Sequence, residues 1–303
     1  MKKTVFTGAA TAVITPMNPD GSINYPVLGR ILEHQIKNGI DAIVICGTTG
    51  ESSTMTDSEH VDTIAYAVEQ VHGRVPVIAG AGSNHTDYAV WLSKEAERAG
   101  ADALLQVTPY YNKTSQAGLI RHFFALAEAT GLPNILYNVP SRTGVDIAPA
   151  TYRELCTHPN IAAVKEAGGN ISKVAQTAAL CGEELAIYSG NDDQIVPILS
   201  LGGKGVISVL SNLMPRETHE ICSLYFGGKA QESAALQLKL LPLINALFSD
   251  VNPIPVKEAM NLAGWAAGEC RMPLVSMASA AREALLREME LLGLSAPRKR
   301  EGE

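Results

Sequence analysis

Eight short runs rich in apolar and β-branched residues recur along the chain, with longer amphipathic segments between them. The runs are Ala9–Thr15, Asp41–Cys46, Val75–Ala79, Ala103–Val107, Asn134–Asn138, Ala162–Lys165, Leu185–Ser189 and Gly205–Ser208. Helical patterns separate them, as at Pro26–Asn38, Ser58–His72, Thr86–Ala99 and Gln116–Thr130. Gly39, Gly73, Gly100 and Gly131 stand where such helices should end. Strands this apolar, each followed by a helix, belong in a parallel sheet that is covered on its outer face. Eight such units predict an α/β fold, a closed (β/α)8 TIM barrel, which typically takes about 250 residues. An open doubly wound sheet is the alternative, but its glycine fingerprint is missing: "GAGSNH" at Gly80 lacks the third glycine.

The alternation stops after Gly228. Gln231–Phe248, Val256–Ala263 and Met277–Leu292 read as helices only, with Pro242 expected to kink the first and "VNPIPVK" to form a rigid turn before the second. The expected division is therefore a catalytic barrel over 1–228 and a C-terminal helical appendage over 229–303, with Pro297–Glu303 a polar, frayed end.

With 46% hydrophobic residues among 303, a large core is available. The net charge is −7, and the only dense basic block is Arg298–Arg300, which argues against a nucleic-acid or anionic-membrane partner. Five scattered cysteines without a C-x-x-C spacing read as reduced thiols of a cytoplasmic protein. The seven histidines form no H-E-x-x-H, so no metal is expected. The opening "MKKTVFTGAATAVITP" imitates a signal peptide, but Thr4, Thr7, Gly8 and Thr11 interrupt its apolar stretch, and a first strand is the better reading. No apolar run reaches the length of a membrane span.

In a barrel, chemistry collects at the C-terminal ends of the strands. Thr48 and Thr49 ("ICGTTGES"), Tyr110 and Tyr111 ("VTPYYN"), Tyr137 and Arg142 ("LYNVPSRTG") and Lys165 ("IAAVKEAGGN") all fall there. Lys165 ends an apolar run, so it must snorkel, find an acid or lose its proton. Glu166 is a poor partner, because adjacent strand residues point to opposite faces. Each segment also has a structural reading. "GTTGES" reads as a turn whose Ser52 or Thr54 caps a helix, the two tyrosines as rim residues, and Arg142 as a partner of Asp146. Asp192 and Asp193 in "SGNDD" read as a loop with a helix N-cap. Taken together, the groups make one chemical sense. A desolvated lysine attacks a ketone to form an imine, a hydrogen-bonded tyrosine moves the protons, loop amides hold a carboxylate, and an arginine grips a second carboxylate. The pattern suggests a lysine-dependent aldolase acting on an oxo acid, with no cofactor.

These segments, with "GVISV" and "NPIPVK", resemble the dihydrodipicolinate synthase (4-hydroxy-tetrahydrodipicolinate synthase) family, in the superfamily that also holds N-acetylneuraminate lyase; the likeness runs from about Gly8 to Leu292. The resemblance implies condensation of pyruvate with L-aspartate 4-semialdehyde on the diaminopimelate route to lysine. It implies an imine at Lys165, proton transfer by Tyr137, and a relay through Thr49 and Tyr111, the latter from a neighbouring subunit. Thr48 and Thr49 would cradle the pyruvate carboxylate. Arg142 would receive the second substrate's carboxylate, and Gly190 and Ile207 would line the site. The family is typically a cytoplasmic homotetramer, so the resemblance implies a homo-oligomer, a tetramer built as a dimer of dimers. Ser52, Ser53, His60, Asn84 and Tyr110 match a cleft in which many members bind lysine as an inhibitor. Asp57 and Tyr88 depart from the responsive pattern, Tyr88 replacing a glutamate, so weak or absent inhibition is expected. The rival readings are a sister aldolase for sugar acids, which would lack Arg142, and a non-catalytic binding protein, which would have lost Lys165 or Tyr137.

Overall fold

The computed structural model describes residue 2 and residues 4–295; the expected polar end, Pro297–Glu303, and the basic block within it lie outside the described residues. Eight parallel strands close into a barrel in sequence order, β1 pairing with both β2 and β8. They are β1 (Gly8–Ala12), β2 (Ala42–Ile45), β3 (Val77–Gly80), β4 (Ala103–Val107), β5 (Asn134–Asn138), β6 (Ile161–Glu166), β7 (Ala186–Ser189) and β8 (Gly205–Ser208). The outer layer comprises α1 (Tyr25–Lys37), α2 (Asp57–Val71), α3 (Thr86–Arg98), α4 (Gln116–Glu128), α5 (Pro140–Thr143), α6 (Pro149–Leu155), α7 (Ile171–Cys181), α8 (Ile195–Ser200) and α9 (Pro215–Phe226). Three more helices follow: α10 (Ala230–Leu247), α11 (Ile254–Leu262) and α12 (Ser279–Leu291). No helix among the described residues is long and apolar enough to cross a membrane.

The strands are continuous apolar runs because both of their faces are buried. Alternate residues such as Ile43, Leu104, Leu136, Val164 and Val206 pack outward against helices. The inward set includes Ala10, Ala42, Ala103 and Ala163 beside Ile78, Ile135, Tyr137, Tyr188 and Ile207. Small and large side chains thus share the interior, which is filled rather than hollow.

Several boundaries differ from the expectation for local reasons. β1 stops at Ala12: Val13 N–H still reaches the Val44 carbonyl (3.1 Å), but Ile14 N–H turns away to the Asn212 side chain (3.1 Å). The cap of α2 is neither Ser52 nor Thr54 but Thr56. Its hydroxyl accepts from Glu59 N–H (3.2 Å), while the Glu59 carboxylate accepts from Thr56 N–H (3.0 Å). Gly39, Gly73 and Gly100 take the left-handed conformation that ends their helices; Gly131 does not. α10 continues through Pro242 to Leu247, and α11 begins at Ile254, two residues earlier than expected. Leu240, Leu243, Ile244 and Leu247 of α10 join the same apolar cluster as Ile31, Ile43 and Val206, so the last helices pack directly on the barrel's coat.

Candidate active site

Period-two alternation along β6 puts Lys165 on the same face as Ala163, inside the barrel, and Glu166 on the other. The register then sets its neighbours, with Lys165 opposite Tyr137 of β5 on one side and Tyr188 of β7 on the other. The ammonium lies 4.3 Å from the centre of the Tyr137 ring. Lys165 is only 5% exposed. Burial drives its pKa down to about 8, with Asp192 opposing the fall and Arg142 adding to it. Glu166 belongs to a different network on the outer face. It accepts from Asn138 Nδ2 (2.9 Å), the Tyr152 hydroxyl (3.1 Å) and Gly168 N–H (2.8 Å), and it does not neutralise Lys165.

Gly190 gives Lys165 its space. A Cβ there would lie 2.7 Å from Ala167 Cβ, 3.1 Å from the Glu166 carbonyl and 3.2 Å from Lys165 Cε. Ile207 of β8 is fully buried in the same interior cluster as Tyr137 and Tyr188. The Tyr188 hydroxyl donates to the Phe6 carbonyl (2.6 Å), and its ring stacks on Phe6 at 4.2 Å. Tyr137 therefore has the free phenol of the two beside Lys165. Burial pushes that phenol's pKa up, opposed by the Arg142 guanidinium and by a hydrogen bond from Thr48.

The two threonines of the expected relay are placed differently. Of the two, it is Thr48 whose hydroxyl helps to hold the Tyr137 pKa down. Thr49 is buried, and its Oγ1 accepts from Asn252 Nδ2 (3.0 Å). Tyr111 does not reach Tyr137 within the chain: its side chain is 92% exposed and its backbone is left-handed (φ 69°). Arg142 does not pair with Asp146. It donates to the Asn252 carbonyl (3.1 Å), while Asp146 accepts from Asn138 and Lys173.

Asp192 overturns its expected reading as a loop residue. The residue is 1% exposed, and its Oδ2 accepts from the backbone N–H groups of Val209 (3.0 Å) and Leu210 (2.9 Å). Burial raises its pKa, while Ser208, these amides and Lys165 hold it down. It is thus a buried acid within electrostatic reach of the lysine. Asp193 lies in a short 3-10 turn, with an exposed side chain and a carbonyl that accepts from Gln237.

The expected effector positions partly converge. Ser52, Ser53, His60, Tyr88 and Tyr110 line a cavity of about 360 Å³, which Thr48 and Arg142 also border. The His60 ring is committed to the Gly80 carbonyl (2.8 Å), and burial lowers its pKa despite that contact. Asn84 binds the Tyr110 carbonyl (3.0 Å). The two departing positions meet each other: the Tyr88 hydroxyl donates to Asp57 Oδ1 (2.8 Å).

Sequence reasoning missed Asn252, Glu51 and Lys257. The first touches both Thr49 and Arg142, and the other two form a buried ion pair of 2.7 Å. Lysine in the otherwise apolar run "NPIPVK" was the available signal, since a buried ammonium needs an acid.

The Dihydrodipicolinate synthetase family profile matches residues 5–291. A 4-hydroxy-tetrahydrodipicolinate synthase of Caldicellulosiruptor bescii is 54% identical over 291 residues, covering 96% of this chain and 98% of its own. One from Lachnoclostridium phytofermentans is 55% identical, with 96% and 99% covered. A chloride-inhibited dihydrodipicolinate synthase of Acinetobacter baumannii, solved with pyruvate, superposes with a TM-score of 0.94 at 40% identity, covering 96% of this chain and all of that one (100%). A barrel with a desolvated lysine between two tyrosines, matched end to end by such relatives, leaves one assignment: the chain belongs to the dihydrodipicolinate synthetase family.

Proposed function

We propose that this chain condenses pyruvate with L-aspartate 4-semialdehyde to 4-hydroxy-tetrahydrodipicolinate through an imine at Lys165. The carrying observation is Lys165 itself, buried in register with Tyr137 and with its pKa lowered to about 8. The neutral amine attacks the pyruvate ketone, and the carbinolamine loses water to give the imine. Removal of a methyl proton then gives an enamine, whose carbon attacks the aldehyde of the second substrate. The second substrate's amine displaces Lys165 from the imine carbon, which closes the ring and frees the enzyme. Tyr137, hydrogen-bonded by Thr48, moves the protons. The loop at Thr48 and Thr49 holds the pyruvate carboxylate, Arg142 receives the second carboxylate, and Gly190 and Ile207 shape the pocket.

The relay needs a second copy. Tyr111 is placed outward, and in our reading the partner subunit's Tyr111 completes the path from Tyr137 to solvent. A homo-oligomer, a tetramer built as a dimer of dimers, accommodates this. A cytoplasmic location accords with cysteines that are all free.

Borohydride reduction in the presence of pyruvate tests the mechanism. The expected result is a stable adduct on Lys165 by peptide mapping, absent in Lys165→Ala. An adduct on another lysine would remove Lys165 from the chemistry.

A further inference from the structure

The loop after β2 is unusual in its backbone. Cys46 (φ 54°) and Glu51 (φ 57°) are both left-handed without being glycine, a conformation that L residues hold only when their surroundings impose it. At Glu51 and along the loop beside it, most of what imposes it comes from residues 252–271, some 200 positions away. Lys257 Nζ donates to Glu51 Oε1 (2.7 Å), and Arg271 N–H donates to Glu51 Oε2 (2.8 Å). Arg271 Nη1 donates to the Thr54 carbonyl (2.9 Å), and Asn252 Nδ2 donates to Thr49 Oγ1 (3.0 Å). The barrel adds Thr15, whose hydroxyl donates to the Gly50 carbonyl (2.7 Å). Asn252 also accepts from Arg142 Nη2 through its carbonyl (3.1 Å).

The Glu51–Lys257 pair is fully inside, with side chains 1% and 2% exposed. Buried ion pairs contribute little net stability, because desolvating both charges offsets their attraction; what they do well is fix one geometry and penalise others. This pair is satisfied at both ends, since Lys257 also donates to the Glu269 carbonyl (2.8 Å). It fixes the loop that carries Thr48, which borders the same cavities as Arg142 and Tyr137.

We propose that Asn252 and Lys257 are positioning residues of the active site, which set the threonine loop and Arg142 against one another from the segment between α10 and α12. Lys257 sets the loop through Glu51. Asn252 couples the two substrate-facing groups, its side chain holding Thr49 and its carbonyl holding Arg142. The helical region after β8 is then part of the catalytic apparatus. This inference rests on the imine mechanism above and adds residues to it.

The test compares wild type with Asn252→Ala, Lys257→Met and the double variant Glu51→Gln/Lys257→Met, which removes both buried charges together. Three quantities are read: the melting temperature, the rate of borohydride trapping with pyruvate, and kcat and KM for aspartate semialdehyde. Asn252→Ala removes the bond to Thr49 and leaves the backbone carbonyl that holds Arg142, so it should slow trapping and turnover by roughly 2- to 13-fold, as expected for one lost hydrogen bond, with KM for the second substrate much less changed. The double variant should melt near wild type, because no charge is left unpaired, yet still turn over at least roughly tenfold more slowly. Wild-type trapping and turnover in Asn252→Ala and in the double variant would overturn the proposal. So would activity losses that vanish well below the melting temperature, since these mark a structural role only. A wild-type chain not trapped at Lys165 would instead overturn the catalytic reading, whatever the variants do.

Discussion

Lys165→Met should end imine chemistry and make the fold more stable. Burial holds Lys165 at about 8, against 10.5 for an ordinary lysine. That gap corresponds to about 3 kcal/mol of unfavourable burial of the charge. Below pH 8 the group is protonated in both the folded and the unfolded chain, so the full penalty is present. Between 8 and 10.5 the unfolded chain binds more protons, so stability rises with pH. Above 10.5 both forms are neutral and the penalty is gone. Methionine removes the penalty at every pH. Asp192 then loses the cation that helps keep its buried carboxylate ionised, which cancels part of the gain. We expect a net stabilisation of about 1–2 kcal/mol near pH 7, or a rise in Tm of roughly 2–3 °C for a chain of this size. Thermal unfolding of both proteins without pyruvate, at pH 7 and again near pH 10.5, measures it. The gain should be present at pH 7 and should shrink towards zero at the higher pH. A variant no more stable than wild type at pH 7, or equally stabilised at both pH values, would refute the claim that Lys165 is held desolvated at an energetic cost.

Tyr137→Phe should keep pyruvate binding but lose roughly 10²- to 10⁴-fold in turnover, read from steady-state kinetics. Near-normal turnover would take Tyr137 off the proton path. Arg142→Ala should weaken the second substrate by roughly 10- to 150-fold, the loss of a charge-assisted contact, with pyruvate trapping much less affected. An equal loss for both substrates would make Arg142 structural. L-Lysine should inhibit weakly, because in the cleft that the resemblance points to Tyr88 brings no charge for an ammonium and its hydroxyl already occupies Asp57 Oδ1; titration at saturating pyruvate checks this. Strong inhibition that weakens in Asp57→Asn would show that Asp57 replaces the missing acid.

The eight strands were legible because each is a short apolar run between helices, a pattern that survives without knowledge of partners. Lys165 was legible for a related reason: an ammonium closing a buried strand has few fates, and period two excludes Glu166. The relay was less so. Two adjacent threonines are equivalent in sequence, and only the loop's backbone turns Thr48 to Tyr137 and Thr49 to Asn252. Asp192 was misread because an acid after a strand usually caps the next helix. Here it folds inward to cap the backbone beyond β8.

By itself, the sequence determined the alternation of strands and helices, the opposite faces of Lys165 and Glu166, and most of the side chains gathered at one mouth. These follow from local periodicity and from the rule that a barrel's chemistry lies at its strand ends. Tertiary structure alone decided which of those side chains touch. Contacts such as Glu51 with Lys257 and Arg142 with Asn252 join residues 206 and 110 positions apart. Their geometry depends on the closed register of the barrel and on where the last helices pack against it, and no local pattern in the chain records either.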